Sequence, residues 1–198
     1  MEAPAPEAAL AVDPADSDEQ LMERYRDGDD AAFERLYSRH RGPLYRYFLR
    51  QCGGEATAEE LFQDVWLKLI KARGRYRVTA RFTTYLYQMA HRRLIDHYRR
   101  TKVRVALESY GDDAEVAAFP MAAHEQPEQR EERRRQTETL LALLATLPAA
   151  QREAFLLKAE AGLSLAEIAV VTGTTRETVK SRLRYAVAKL RRGMGALI

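Results

Sequence analysis

A single cysteine, Cys52, in 198 residues leaves no intrachain disulfide and no cysteine-built structural zinc site. The four histidines (40, 91, 97 and 124) are scattered, and His91 and His97 are six apart, off a common helix face, so neither a metal site nor a cofactor is expected. The first 20 residues hold six acids and no base, the reverse of the basic start of an export signal. The longest uncharged apolar run, Leu140 to Ala150, is too short to span a bilayer and contains Pro148. A free thiol without an export pattern predicts a cytoplasmic chain with no membrane insertion. No segment shows the strict alternation of a half-buried strand.

What the chain does have is charge, arranged in blocks. The 32 Lys and Arg against 29 Asp and Glu give only +3, but the signs are segregated. Residues 1–16 are Ala, Pro and acid, a composition that predicts disorder. Residues 75–104 hold nine bases and one acid, Asp96. Residues 105–129 hold six acids and no base, with Gly111, Pro120 and Pro127. Residues 173–192 hold seven bases and one acid, Glu177. One basic run is commonly just a solvated helix face. Two of them on separate modules joined by an acidic tether suggest two contacts along one polyanion.

Helix signals run through both basic modules. Ser17-x-x-Gln20 and Thr57-x-x-Glu60 are capping-box patterns, each followed by an apolar stripe: Leu21, Met22 and Tyr25, then Leu61, Phe62, Val65, Trp66, Leu69 and Ile70. Gly28-Asp29-Asp30 breaks the first helix and recaps a second carrying Phe33, Leu36, Tyr37, Leu44, Tyr47 and Phe48, while Phe82, Tyr85, Leu86, Met89, Ala90 and Leu94 mark a fourth. The fold class predicted is all-α. A helical bundle over 17–104 and a second helical domain over 132–198 are joined by an acidic linker over 105–131.

The second domain carries a sharper pattern. A leucine-rich helix ends near Leu147, and Pro148 opens a helix predicted to bury Phe155, Leu156 and Ala159. Ser164-x-x-Glu167 and Thr174-x-x-Glu177 then open a short and a long helix, with Gly173 between them and Ala169 small where the helices cross. This is a helix-turn-helix. At about 100° per residue, Val179, Leu183, Ala186 and Leu190 share one face of the long helix. Ser181, Arg184, Tyr185 and Ala188 share the opposite face, flanked by Thr178 and Lys180. Hydroxyls, a phenol and cations on an outward face can donate to phosphates and to base edges in a major groove.

These segments resemble the extracytoplasmic-function (ECF) sigma factors, the smallest bacterial promoter-recognition subunits. The resemblance covers 18–104 and 133–192. It runs through "LMERYRDGDDAAFERLY", "AEELFQDVWLKLIKAR" and "RFTTYLYQMAHRRLIDHYRR", then "LPAAQREAFLLKAEAGLSLAEIAVVTGTTRETVKSRLRYAVAKLR". It implies a first domain that binds core RNA polymerase and opens the −10 element, and a second that binds the −35 element as duplex promoter DNA. The polymerase contacts it implies are Glu60, Gln63, Asp64, Trp66 and Lys68, with core filling the alternative role for Trp66. The loop 74–81, "GRYRVTAR", matches the family's pocket for a flipped −10 base. Arg75, Arg77 and Arg81 could track phosphates there, and Tyr76 could stack a base.

The resemblance implies Tyr85 and Arg92 as further −10 contacts, standing where the family usually has Trp and Asn. Asp96 is expected as a salt-bridge hub for Arg92, Arg93, Arg99 and Arg100 rather than a base reader. The −35 contacts implied are Lys180, Ser181, Arg184 and Tyr185, with Arg176 and Thr178 on phosphate. An anti-sigma factor is the expected inhibitor, and no catalytic activity is expected. The alternatives are a helix-turn-helix regulator acting without polymerase, a metal nuclease around His91, Asp96 and His97, and a structural adaptor. The nuclease would need converging carboxylates, and Asp96 stands alone among bases.

Overall fold

The computed structural model describes residues 16–107 and 137–195, with side chains described to Thr101 in the first stretch. The predicted acidic tail before Asp16 and the greater part of the predicted acidic linker lie outside the described residues. All regular structure among the described residues is helical.

The first unit holds α1 (Asp18–Arg26), α2 (Asp30–Cys52), α3 (Glu55–Ala72) and α4 (Phe82–Leu107), with one 3-10 turn at Arg73–Arg75. Ser17 closes the predicted capping box. Its hydroxyl accepts from the Gln20 N–H at 3.2 Å, and the Gln20 side chain accepts from the Ser17 N–H at 2.7 Å. Asp29 caps α2 by accepting from the N–H groups of Ala31 and Ala32. Gly53, at φ +74°, takes the left-handed conformation that ends α2.

Two expectations are corrected here. Helix α3 starts at Glu55 behind Gly54 with no side-chain cap, so Thr57 lies inside the helix rather than at its start. Helix α4 continues to Leu107, three residues into the predicted linker. Its first turn is held by a distant residue: the Phe82 N–H donates to the Glu19 carboxylate of α1 at 2.6 Å.

The core of this unit is aromatic. Trp66 lies 5.0 Å from the Tyr37 ring and 5.8 Å from Phe33, both edge-on, and Phe33 in turn packs on Tyr25. Buried Leu21, Leu36, Leu61, Leu69, Phe82 and Leu86 complete it. Ile70, expected in the stripe, is instead exposed.

The second unit holds α5 (137–145), α6 (Ala149–Ala159), α7 (Leu165–Thr172) and α8 (Arg176–Gly195). Its capping box at Ser164 and Glu167 forms as predicted, and Gly173 at φ +63° makes the turn between α7 and α8. The cap of α8 is Thr175, not Thr174. The Thr178 N–H donates to the Thr175 hydroxyl, while Thr174 pairs with Thr172. Leu144, Leu156, Leu157, Leu163, Ile168, Val179, Ala186 and Leu190 form the core. Helix α6 buries Glu153, Ala154, Leu156 and Leu157, whereas Ala159 is exposed and Phe155 half-buried.

A close helix crossing is made at Gly193, and Ala169 packs against the core. A Cβ at Gly193 would lie 2.3 Å from Leu143 Cδ2. The two units pack on each other: α7 lies against α4, and α6 lies against α2.

Candidate nucleic-acid interface

The long helix of the helix-turn-helix exposes the predicted face. Lys180, Ser181, Arg184 and Tyr185 are all exposed, and Val179, Ala186 and Leu190 are buried behind them. Tyr185 is 55% exposed, and the Arg184 guanidinium lies over its ring at 5.0 Å. A large apolar ring left in water beside a cation that stacks on it suits contact with a flat or charged partner surface. Arg176 is exposed at the helix start. Thr178 is half-buried, and its hydroxyl pairs with the Thr175 hydroxyl at 2.9 Å, so it is engaged in the cap.

The loop between α3 and α4 differs from expectation at its aromatic residue. Arg75, Arg77 and Arg81 are exposed. Tyr76, expected as the stacking ring, is only 2% exposed and packs edge-on against Tyr85 at 5.3 Å. Its hydroxyl is buried without a partner. Burial, followed by the nearby Glu19 and Glu23, pushes that phenol up to about 12. In this conformation Tyr76 fills the space between the loop and α1, because a ring flanked by two solvated arginines gains more by turning inward than by standing in water. Tyr85 is half-buried, and Arg92 is exposed on α4.

The predicted polymerase face lies on α3. Glu60, Gln63 and Lys68 are exposed and Asp64 is half-buried, while Trp66 is buried in the aromatic core and supports the face from beneath. Two exposed apolar residues lie on the same helix: Leu67 at 52% and Ile70 at 37%. Their i, i+3 spacing was visible, but Ile70 reads equally as part of the buried stripe. Asp64 and Glu60 both accept from Arg93 of α4, at 2.6 and 2.8 Å. Arg93 thus crosses to α3 instead of pairing with Asp96. Asp96 is exposed and makes no ion pair among the described residues, so the expected hub is replaced by one centred on Arg93.

Comparison with known proteins identifies both units. The sigma-70 region 2 family matches residues 36–104, and sigma-70 region 4 matches residues 137–190. The RNA polymerase sigma factor CarQ of Myxococcus xanthus is 31% identical over 89% of this chain and 97% of its own. The ECF sigma factor SigM of Mycobacterium tuberculosis is 30% identical over 91% of this chain and 86% of its own. The chain belongs to the ECF sigma factors. It is a sigma-70-type initiation factor for promoter-directed transcription.

The same fold recurs in the sigma factor RpoE of Bartonella quintana, solved with the anti-sigma factor NepR, at TM-score 0.70 and 20% identity over 82% of this chain and 96% of that one. It recurs also in CnrH, solved with the cytosolic domain of CnrY, at TM-score 0.64 and 22% identity over 91% of this chain and 99% of that one. The region 2 match begins inside α2, so α1 of this sigma factor lies outside it. Among the described residues no helix is long and apolar enough to cross a membrane, and no cluster of His, Cys, Asp and Glu could hold a metal ion.

Proposed function

We propose that the two units divide promoter recognition between them. Helix α8 enters the −35 duplex with Lys180, Ser181, Arg184 and Tyr185, and Arg176 holds phosphate beside it. Arg75, Arg77, Arg81 and Arg92 hold the separated −10 strand along the start of α4, with Tyr85 as the nearer stacking ring. The outer face of α3, with Glu60, Gln63, Asp64, Lys68, Leu67 and Ile70, docks on core polymerase. The chain works in the cytoplasm as a noncatalytic subunit. An anti-sigma partner is proposed by analogy with the RpoE fold, which was solved bound to one.

The observation that carries this reading is the exposed face of α8, where a stacked Arg184–Tyr185 pair stands opposite a buried aliphatic stripe. Groups that face water on a helix-turn-helix and can donate to both phosphates and bases support duplex recognition. Transcription by core polymerase plus this protein on a genomic fragment library, with start-site mapping, tests it. Transcripts sharing one −35 and one −10 sequence are expected. Starts indistinguishable from those of core polymerase alone would refute it.

A further inference from the structure

Three carboxylates of region 4 point into region 2. Glu153 of α6 accepts from the Tyr47 hydroxyl at 3.1 Å and lies 2.5 Å from His91 Nδ1. Glu160, at the end of α6, receives Arg46 at 2.8 Å and Arg50. Glu167 accepts from the Thr84 hydroxyl at 3.1 Å and lies 3.6 Å from Arg81. The Glu160 side chain is only 7% exposed. The residues are seven apart in each step. That spacing aligns 153 and 160 on one side of α6, and the turn after Gly162 carries the row on to α7.

We propose that the free chain is self-inhibited by a carboxylate latch, in which Glu153, Glu160 and Glu167 hold region 4 over region 2 and Glu167 occupies Arg81 and Thr84 at the strand-binding start of α4, while Arg75, Arg77, Arg92 and the α8 face stay open. The Glu167 element of this proposal rests on the assignment of α4 to the −10 strand; the latch itself does not.

Three observations favour a latch over a permanent junction. The partners of Glu153 and Glu160 all come from the other unit, so neither acid serves the fold of its own. The interface is lined with charge and leaves polar atoms unpaired: Tyr87 Oη, Gln51 Nε2 and Arg50 Nε are buried without partners. Water would satisfy them on opening, which lowers the cost of separation. Glu167 also sits where a phosphate would, taking one cation and one hydroxyl at the start of α4. Those are groups that a strand backbone uses. The closed form thus presents region 4 carboxylates to region 2 in place of a nucleic acid.

The latch is tested on the full chain by small-angle X-ray scattering at 0.1 M salt. Wild type should be compact, and E160Q/E167Q should show a larger radius of gyration with unchanged helical circular dichroism. Removal from the other side, R46A/R50A, should produce the same expansion. Binding of fluorescent 20-nucleotide oligo-dT, read by anisotropy, should tighten tenfold or more in E160Q/E167Q. A compact E160Q/E167Q together with a compact R46A/R50A overturns the latch. Expansion without tighter oligo-dT binding supports the latch and counts instead against the strand-binding assignment of α4.

Discussion

Leu67 gives the cleanest test of the α3 docking face. Asp64→Arg would be the obvious substitution, but Asp64 is tied to Arg93 at 2.6 Å, so a cation there would also repel Arg93 and loosen α3 from α4. Leu67 is 52% exposed, and its loss leaves no buried cavity. Fully burying a leucine is worth about 1.5–3 kcal/mol, so covering its exposed half in an interface is worth roughly 0.8–1.5 kcal/mol. That corresponds to about a 4- to 13-fold change in Kd.

Leu67→Ala should therefore weaken binding to core polymerase by that factor, and Leu67→Ala/Ile70→Ala by more, while unfolding stability stays within ~0.5 kcal/mol of wild type. Fluorescence anisotropy of the labelled chain titrated with core polymerase reads the first quantity, and urea unfolding reads the second. Unchanged affinity in the double variant at moderate salt would remove this face from the interface. A stability loss matching the affinity loss would show that both residues serve the fold instead.

The Tyr76 hydroxyl is buried and unpaired, so Tyr76→Phe should be neutral or slightly stabilising, whereas Tyr76→Ala should cost about 3–5 kcal/mol of unfolding stability like other buried aromatic deletions. Urea unfolding distinguishes this from a stacking role, which Ala would abolish without loss of stability. Arg184→Ala should lower affinity for a mapped −35 duplex by ~1–3 kcal/mol in a base-dependent way if it reads a base edge; a loss uniform across sequences with a shallower salt slope would make it a phosphate contact.

Gly193→Ala should destabilise region 4, because its Cβ meets Leu143, and the cost should shrink in a Leu143→Ala background, as a double-mutant cycle by thermal unfolding would show. Partial burial alone would raise the Asp18 carboxyl, but hydrogen bonds from His40 and Arg39 outweigh it and hold it below 3.8. Its contribution is complete above pH 3.8 and is lost as the pH falls through the lowered value, so Asp18→Asn should lower the unfolding temperature at neutral pH and match wild type in acid.

How much was legible depended on the range of the interaction. Apolar spacing located the long helices and a capping box located α7, and the local caps at Ser17, Asp29 and Ser164 were readable because donor and acceptor lie within three residues. The Thr57 cap failed because α3 already opens behind Gly54, and the Thr174 cap failed because two hydroxyls compete. Thr174 and Thr175 are adjacent, and only backbone direction decides that Thr175 faces the Thr178 N–H. The cap on α4 comes from Glu19, 63 residues away, which no local pattern contains. The exposed face of α8 was readable because an amphipathic helix with one buried side has only one side left to show. Tyr76 was not readable, because a loop has no period, and an aromatic ring between arginines satisfies a stacking platform and a core plug equally well.

The acids of region 4 show the same limit in its strongest form. The charge blocks of the sequence mark the bases of both modules and the acids of the linker, not single acids. Glu153, Glu160 and Glu167 stand singly, seven apart, outside those blocks, where a carboxylate's local role is to cap a helix. Only Glu167 has that local role, as the cap partner of Ser164. An isolated carboxylate with no partner in its own unit is costly to bury, so its burial in the closed chain requires that cations and hydroxyls be brought to it by another unit. Arg46, Arg50, Tyr47 and His91 meet that requirement. A promoter-binding chain must present its cations to DNA, and the closed arrangement turns one of them, Arg81, toward Glu167. The face of α8 carries no latch contact, so the closed form leaves duplex recognition available.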